Sequence, residues 1–508
     1  MFFGNRDAEV TQSRHLVDQG TRHVALFRVE TVRQWQNLLH GEGACGVAQH
    51  LTLGAQAAAV GVCVHALLVF RGVGLVPLGT AIALSAWTNP GRRHRRQTAL
   101  NYKLISPLRV IESSAFIAAP LAGMTLAQFG ADVIRVDLIG GGIDYGRLPL
   151  MPAGRSLYWT GLNKAKRSIA VDIRRPEGRE LVRALVTAPG EGGGVLLTNI
   201  AMPWLAHVSL AALRADLISC TISGNPDGST AVDYTVNAAT GFPAITGAGS
   251  INHPVNHVLP AWDIACAYQA AFAVLAAVLQ RRQTGAGAEL QLALSDVAFA
   301  SLSHLGMMAE AELLEEQREP LGNHIYGAFG RDFGTSDGQR VMVAGVSAGQ
   351  WSALCSACEL DATMAVMDEP TRFAARDAIA LQVERWCAVR TLAEVERVFG
   401  AKKVCWGRYR TVSDLVANDA RVSVANPVFE QIQTAGVGRH RAAGTAVRVG
   451  GTQRAPTVAA PWLGQDTDAV LSEVLGLDSG AIGRLMDSGV VAGPQRDPYF
   501  CSEPRHDP

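Results

Sequence analysis

One carboxylate stands apart in this sequence as a candidate for chemistry. Asp233 opens the segment 233–241 (DYTVNAATG), which contains no other charged residue. An aspartate has a reference pKa of about 3.9, so at neutral pH it is ionised and can act as a nucleophile without a general base. It could equally be the N-cap of a helix that begins at Tyr234. The two roles are compatible, because a helix N-terminus stabilises a negative charge.

A second group of side chains carries charges of the kind that bind phosphates. Lysine binds a phosphate as a point charge and arginine as a bidentate fork, although such a group can also be a solvated face. A position next to strand ends favours phosphate binding over a solvated face. The group consists of Lys164, Lys166 and Arg167 in the segment LNKAKRSIAVDI, with Arg135 and Arg147 in earlier segments.

Other familiar catalytic motifs are missing from the sequence. The glycines at 140–142 match neither a Walker loop nor a GxGxxG fingerprint, and no GxSxG or HExxH motif is present. Cys355 and Cys358 form a CSAC segment without a second Cys or His pair at zinc-binding spacing. We therefore predict two thiols on a helix and neither a metal site nor a resident cofactor.

Length and composition restrict the classes of protein to be considered. A chain of 508 residues is long enough for two or more domains. Lys plus Arg and Asp plus Glu both total 45, so no net charge attracts nucleic acid or an anionic membrane, and we expect neither as a partner. Nine scattered cysteines, an odd number, argue against a disulfide framework and favour the reducing cytoplasm.

Hydrophobic runs predict the elements that position these residues. Runs that are apolar throughout, separated by helical stretches, are typical of parallel strands covered on both faces. Ligands bind to such an open sheet beyond the carboxyl ends of its strands, and Asp233 follows one predicted strand by a single loop. The predicted strands are 108–112, 130–137, 168–173, 194–199 and 216–222, with helices at 120–129 and 176–186.

The later part of the chain predicts further helices and a smaller unit. An apolar helix at 262–282 has Asp263 near its start and two arginines at its end, as the helix dipole prefers. We predict a large α/β domain with linker helices over 105–330 and a small α+β domain over 331–425. Residues 426–508 form the C-terminal part.

The first hundred residues differ from the rest. They contain six of the thirteen histidines, an apolar stretch at 52–70 and the basic run GRRHRR at 91–96. A transmembrane hairpin with a basic flank fits this pattern. Because Ala/Gly runs also form buried helices, we favour an atypical extension over 1–104, such as an over-extended start, rather than a membrane anchor.

Several segments in the same order resemble the class III CoA-transferases, the CaiB/BaiF type. The resemblance begins near Leu108 and excludes residues 1–104. It implies an open parallel-sheet, Rossmann-like large domain, a smaller α+β domain, late helices that return to the large domain, and an interlocked homodimer. It also implies an acyl-CoA substrate that carries its own CoA. The segments are 110–137 (VIESSAFIAAPLAGMTLAQFGADVIRVD), 163–181 (NKAKRSIAVDIRRPEGREL), 232–241 (VDYTVNAATG) and 281–298 (RRQTGAGAELQLALSDVA).

The resemblance also assigns roles to individual residues. Asp233 occupies the position of the family's nucleophile, which attacks a thioester to form a mixed anhydride and then an enzyme thioester. The resemblance places the CoA phosphates near Lys164, Lys166, Arg167 and Arg147, and the adenine near Phe116 and Ile117. It places Asn237 near an acyl oxygen, and His253 and His257 near a free carboxylate of the substrate.

A narrower set of segments, IGGGIDYGR, SLYWTGLNKAKRS, PVNHVLPAWD and GAFGRDF, resembles the members that move CoA within one dicarboxylate. This implies conversion of 2-methylfumaryl-CoA into 3-methylfumaryl-CoA. Three alternatives stay open at this point. The first is CoA transfer between two separate acids, and the second is 2-methylacyl-CoA racemisation with His207 as the partner of Asp233. The third is a non-catalytic scaffold or membrane-tethered binding protein.

Overall fold

The computed structural model describes residues 102–314 and 318–500. The predictions for the N-terminal extension, including the membrane hairpin, concern residues that lie outside this range except for 102–104.

The first part of the described chain alternates strands and helices. Its elements are β1 (Arg109–Ser113), α1 (Ala118–Gln128), β2 (Asp132–Leu138), α2 (Leu157–Leu162), β3 (Arg167–Val171), α3 (Pro176–Thr187), β4 (Val195–Thr198), α4 (His207–Ala211) and β5 (Ile218–Ser223). A mostly helical stretch follows, with α5 (Asp233–Ala239), α6 (Phe242–Ile245), α7 (Ala261–Thr284), β6 (Ala288–Ala293), α8 (Leu294–His304) and α9 (Met307–Leu313). The predicted strands and helices all occur, with ends shifted by a few residues.

The second part contains shorter elements. They are β7 (Phe329–Gly334), β8 (Arg340–Gly345), α10 (Ala348–Cys358), α11 (Ala362–Ala365), α12 (Glu369–Ala374), α13 (Arg376–Ala388), α14 (Leu392–Lys402), β9 (Cys405–Arg408) and α15 (Val412–Asn418). The last elements are β10 (Phe429–Thr434), β11 (Gly438–Ala443), α16 (Thr467–Leu475), α17 (Ser479–Asp487) and β12 (Val491–Ala492).

The largest sheet has seven strands in the order β12-β3-β2-β1-β4-β5-β6. β1 to β6 are parallel, and β12 pairs antiparallel with β3. The strand order reverses direction between β1 and β4, which makes their carboxyl ends a topological switch point where ligands bind in open α/β sheets. The structure thus confirms the predicted α/β class with a large parallel sheet.

Successive residues of each strand point to opposite faces of this sheet, and helices cover both. On one face Val110, Val133 and Leu197 pack against α1, α7 and α8. On the other, Ile111 and Ile134 pack against α3, α4, α16 and α17. The contacting residues of α1 and α7 are mostly alanines, such as Ala118, Ala122, Ala267 and Ala270, which allows close approach of the two helices.

A smaller antiparallel sheet, β7-β8-β9, packs with α10, α13 and α14 around its own core. Trp386 and Phe399 stack in this core with ring centroids 5.3 Å apart. Cys355 and Cys358 both lie on α10 and are buried in this core, which confirms the prediction of two thiols on one helix.

The C-terminal elements contact the large sheet. Besides the pairing of β12 with β3, the Asp466 carboxylate accepts a hydrogen bond from the Ser168 backbone N–H at 2.9 Å. Val470 and Leu471 of α16 are fully buried against the sheet. The chain therefore returns to its first sheet after the small one.

Within the described ranges, α7 is the one helix whose length and composition would allow it to cross a bilayer. Its most apolar window is 39% buried within the protein. Tyr268, Phe272 and Leu279 remain exposed along one side of it, at spacings of four and seven residues that place them on one face.

A buried ionic cluster lies beneath the carboxyl ends of β1 and β2. The Arg135 guanidinium contacts Asp137 at 2.7 Å, Glu112 at 3.2 Å and Asp144 at 3.7 Å. Lys166 donates to the same Glu112 oxygen at 2.8 Å, and burial lowers the pKa of this lysine to about 8 although Glu112 acts to raise it. Each cation thus compensates a carboxylate that would otherwise be buried alone.

We expect Arg135→Leu to lower the free energy of unfolding by about 3–5 kcal/mol, because it leaves three carboxylates without their shared cation. Urea unfolding followed by circular dichroism measures this loss. The matched control is Arg174→Leu, since Arg174 pairs with Asp172 on the surface and should unfold like the wild type. Equal stability of the two variants would contradict the compensating role of Arg135.

Candidate active site

Asp233 lies at the carboxyl end of the large sheet and is 2% exposed. Ten residues after β5, it is the first residue of α5, and Val232 is the N-cap. The helix therefore starts one residue earlier than predicted, and the prediction that Asp233 caps a helix beginning at Tyr234 is wrong. Its side chain instead accepts hydrogen bonds from the start of a different helix.

The two carboxylate oxygens of Asp233 have different surroundings. Oδ2 accepts the backbone N–H groups of Trp262 at 2.7 Å and Asp263 at 3.0 Å, in the first turn of α7. These N–H groups have no partner inside their own helix, and they stabilise an anion. Oδ1 is buried and accepts no hydrogen bond from the described residues, so its lone pairs are not engaged by a donor.

His257 is the nearest ionisable side chain to Oδ1, with its Nε2 at 3.3 Å. The angle does not make a hydrogen bond, and the side chain is 27% exposed. The predicted substrate residue His257 is thus brought next to Asp233, although it does not line the cleft around that residue. His253 is exposed in the same loop and is not among the residues that line the cleft around Asp233.

The predicted residue Asn237 supports α7 from one turn after Asp233. Its amide oxygen accepts the Trp262 indole N–H at 3.0 Å, and its amide nitrogen donates to the Asn256 side chain at 2.5 Å. These bonds fix the residues on either side of the Asp233 pocket. Asn237 is 3% exposed, so the structure gives it protein partners in place of the predicted acyl oxygen.

A cleft of about 680 Å³ opens over Asp233. Its walls come from the carboxyl ends of neighbouring strands, from the start of α7 and from the segment around α2, as expected for an open α/β sheet. The residues that line it include Phe116, Ile117, Arg147, Tyr158, Asn199, Asp233, Tyr234, Val258 and Asp263.

The loop after β1 is held rigidly at the edge of this cleft. Phe116 has a φ of 65°, which is rare for a residue with a side chain. Its N–H donates to the buried Asp144 carboxylate at 3.0 Å. The Asn199 side chain exchanges two hydrogen bonds with the Ala115 backbone. The ionic cluster below and β4 beside it therefore fix Phe116 and Ile117 where the sequence predicts them.

Of the four cations that the resemblance places near the CoA phosphates, Arg147 lines the cleft. Its guanidinium lies 5.4 Å from the Phe116 ring centroid and 5.3 Å from that of Tyr158. This combination of a cation and aromatic faces leaves the guanidinium edge available to an anion.

The other three cations have different partners, which corrects the predicted cluster. Lys166 is buried and donates to Glu112, Asn163 and the Pro120 carbonyl. Arg167 pairs with Asp132 and Glu473 at the start of β3, the opposite end from the cleft. Lys164 donates to the Gly161 carbonyl at 2.6 Å and lines a separate cavity of about 420 Å³.

The structure separates the racemase candidate His207 from Asp233. The His207 Nδ1 lies 2.8 Å from the Ser219 hydroxyl, near the start of β5. Asp233 follows the other end of that strand, about 13 Å further at 3.3 Å per residue. The two residues therefore do not face a common substrate atom.

The cleft residues that were not predicted as site residues include Tyr158, Asn199 and Asp263. Asn199 follows β4 directly, so the rule that ligands bind at strand ends could have identified it. Asp263 was interpreted from the sequence as an acid that is favoured at a helix start, so its raised pKa was not expected. Burial raises its pKa to about 7, and the Asp233 charge acts in the same direction.

Comparisons with known proteins agree with this geometry. Residues 105–467 match the model of CoA-transferase family III. The chain is 49% identical over 404 residues to a 2-methylfumaryl-CoA isomerase of Chloroflexus aurantiacus, covering 77% of this chain and 99% of that protein. It is 26% identical to a human succinyl-CoA:glutarate CoA-transferase, covering 77% of this chain and 90% of that one.

A solved structure of a CaiB/BaiF family protein from Brucella suis shares the fold, with a TM-score of 0.62 and 24% identity. The likeness covers 74% of this chain and all of that one. Together with the family match over most of the chain, this settles its classification: the chain belongs to CoA-transferase family III.

Proposed function

We propose that this protein is an isomerase that moves CoA from C1 of 2-methylfumaryl-CoA to C4, giving 3-methylfumaryl-CoA. The observation that carries the proposal is the Asp233 carboxylate in the wall of a cleft, with Oδ2 bound by two N–H groups and a buried Oδ1 that accepts no hydrogen bond from the described residues. The identity of nearly half to a relative with that activity supports the choice of substrate.

Four steps move the CoA with no net proton change. Oδ1 of Asp233 attacks the C1 carbonyl, the C–S bond breaks, and CoA leaves as a thiolate from a mixed anhydride. The thiolate attacks the aspartyl carbonyl and releases the acid as a dicarboxylate, which leaves an enzyme thioester. The C4 carboxylate then attacks that thioester and expels the thiolate. Finally the thiolate attacks C4 and regenerates the Asp233 carboxylate.

The two N–H groups at the start of α7 act in the middle steps. When a thiolate or carboxylate attacks the aspartyl carbonyl, negative charge develops on Oδ2. The N–H groups of Trp262 and Asp263 already point at that atom from 2.7 and 3.0 Å. They constitute a preorganised oxyanion hole, and losing one such donor typically costs a factor of about 100–1,000 in rate.

Other cleft residues bind the substrate. Arg147 would meet an anionic part of the acyl-CoA, with Phe116 and Ile117 contacting its CoA portion at the end of β1. Next to this cleft, the His257 Nε2 lies 3.3 Å from Asp233 Oδ1, where it would contact a substrate carboxylate bound at Asp233. CoA arrives and departs as part of the substrate, so we propose no separate cofactor and no metal. The chemistry needs neither nucleic acid nor a membrane.

Transfer between separate acids is the second candidate. It is favoured by relatives of about 25% identity, including a formyl-CoA:oxalate CoA-transferase of Rhodopseudomonas palustris. The covalent steps are the same, and the two activities differ in whether the released acid stays bound. Racemisation receives no such support, because His207 lies at the opposite end of β5.

We also propose a cytoplasmic homodimer. Tyr268, Phe272 and Leu279 form an exposed apolar stripe on α7, and Phe272 is 73% exposed. A second copy of the chain would bury this stripe, whereas a monomer leaves it in water. Among the described cysteines all are free thiols, as a reducing compartment requires.

We expect Asp233→Asn to abolish conversion of 2-methylfumaryl-CoA, because the amide cannot form the anhydride. Chromatographic separation of the two thioester isomers measures the loss, which should exceed a factor of about 1,000. Hydroxylamine should convert the activated Asp233 carbonyl of the wild-type enzyme into a hydroxamate, with release of CoA, and should leave the variant unmodified. Asp227→Asn is the matched control, since Asp227 lies in the exposed loop before α5 and should leave turnover unchanged. Full activity of Asp233→Asn would refute the covalent route.

Isotopically labelled free 2-methylfumarate distinguishes the two candidate activities. If the acid stays bound between the half-reactions, 3-methylfumaryl-CoA forms without label even when the free acid is in large excess. Mass spectrometry of the product measures incorporation. Label that rises with the concentration of free acid would establish transfer between separate molecules instead.

Light scattering during size exclusion should give about twice the 53.8 kDa of one chain. Phe272→Asp should shift the protein towards one chain per particle, because it puts a charge into the proposed interface. Val366→Asp, at an exposed apolar residue of the small α+β part, is the control and should remain dimeric. A single-chain mass for the wild type would exclude the dimer.

A further inference from the structure

A second carboxyl group shares the cleft with the nucleophile. Asp263 is the third residue of α7 and lines the same wall as Asp233, Arg147 and Tyr158. Its backbone N–H donates to Asp233 at 3.0 Å, so the two carboxyl groups belong to neighbouring positions of one site. The mechanism described above uses this backbone group and leaves the Asp263 side chain without a role.

The Asp263 carboxyl group makes no hydrogen bond or ion pair with the side chains or backbone of the described residues. The free N–H groups at the start of its own helix are bound to Asp233. The helix terminus therefore stabilises the charge of Asp233, and Asp263 obtains none of that stabilisation through hydrogen bonds. A carboxyl group that is partly buried, unpaired and exposed to the cleft is placed for a ligand.

The groups that face Asp263 come from several elements. Asp233 of α5 repels a second negative charge, and Arg147 attracts one. The Tyr158 phenol of α2 and the Cys266 thiol of α7 both face it, and burial raises their pKa values to about 12, so both stay neutral. His257 acts on this set through Asp233, which it contacts at 3.3 Å.

Burial raises the pKa of Asp263 to about 7, and Asp233 acts in the same direction while Arg147 opposes it. Below that pH the group is a neutral acid with an O–H donor, and above it the group is an acceptor-only anion. Near pH 6 the Asp263 carboxyl group is therefore mostly the neutral acid and can donate its O–H to a ligand in the cleft.

We propose that Asp263 binds the free carboxylate of a dicarboxylic acyl-CoA as the neutral acid, through one O–H···O⁻ hydrogen bond. This inference rests on the proposed function for the identity of the acyl group. It makes Asp263 a specificity residue that favours acyl chains with a second carboxylate. The hydrogen bond transfers no proton to a reacting atom, so the four-step exchange keeps its balance.

The exchange itself explains why a neutral donor is required here. While CoA is held on Asp233, the released acid carries two carboxylates in the cleft. An ionised Asp263 would add a third like charge and favour escape of the acid. A protonated Asp263 instead contributes a charge-assisted hydrogen bond, which is about twice as strong as one between neutral groups. Together with Arg147 it retains the intermediate.

Two unreactive thioethers test this inference, because Asp233 cannot attack them. S-(3-carboxypropyl)-CoA carries a free carboxylate, and S-butyl-CoA is its apolar control. Titration calorimetry at pH 6 and pH 8.5 measures the ratio of their dissociation constants. CoA phosphates titrate alike in both probes, so their contribution cancels in that ratio.

For the wild type we expect the carboxylate probe to bind about tenfold more tightly than S-butyl-CoA at pH 6, with most of that preference lost at pH 8.5. Asp263→Asn keeps an N–H donor that does not titrate, so it should show the preference at both pH values. Asp263→Leu removes the donor and should lose the preference at both. Thermal unfolding of each variant confirms that it is folded.

Two results would overturn the inference. One is an undiminished preference in Asp263→Leu, which would assign the carboxylate to Arg147 or His257. The other is a loss at pH 8.5 that persists in Asp263→Asn, which would assign the titration to another group. If Asp263→Leu does not fold, the comparison of wild type with Asp263→Asn still decides whether Asp263 causes the pH dependence of the preference.

The ratio of dissociation constants is independent of turnover, so the proposed function and the proposed carboxylate site can each be refuted without the other. If the wild type does not isomerise 2-methylfumaryl-CoA but its preference depends on residue 263 as described, the substrate is wrong and the carboxylate site stands. If isomerisation occurs and the preference is absent or unaffected by residue 263, the function stands and the site does not.

Discussion

The site depends on two hydrogen bonds from the start of α7 to one oxygen of Asp233. They orient a buried carboxylate and leave its other oxygen without a hydrogen-bond donor among the described residues. They require that α7 begin within reach of the end of β5, and this placement comes from the packing of α7 on α1 and the sheet. Alanines at Ala267 and Ala270, fully buried, allow the helix to lie close enough.

The same two hydrogen bonds distinguish the carboxyl group of Asp233 from that of Asp263. A helix terminus has a limited number of free N–H groups, and Asp233 accepts two of those of α7. Asp263 belongs to that helix and yet receives no such bond, so burial and the Asp233 charge determine its ionisation. One constraint thus gives two neighbouring carboxyl groups different surroundings, because one accepts two N–H groups and the other accepts none from the described residues.

Much of the fold and the central residue could be predicted from sequence for identifiable reasons. Parallel strands buried on both faces are continuously apolar, so β1 to β5 are visible as runs. The strand-end rule places Asp233 at the cleft because it follows from topology alone, whereas Phe116 and Ile117 were assigned from the resemblance to the family. The role of the basic segment 162–173 could not be predicted in this way, because it depends on contacts with residues far away in the sequence. Whether Lys166 reaches solvent depends on Glu112, a residue fifty-four positions earlier that is buried in another strand.

Asp263 shows a different limit of sequence reasoning. The helix dipole is enough to explain an acid in the first turn of a helix, so the sequence pattern gives no reason to expect a further role for Asp263. The structure removes that explanation, because the N–H groups that would bind Asp263 bind Asp233 instead. An acidic residue whose helix start is already occupied by another carboxylate needs a partner from elsewhere. If the cleft holds a dicarboxylate between two half-reactions, as we propose, the acid itself can supply that partner.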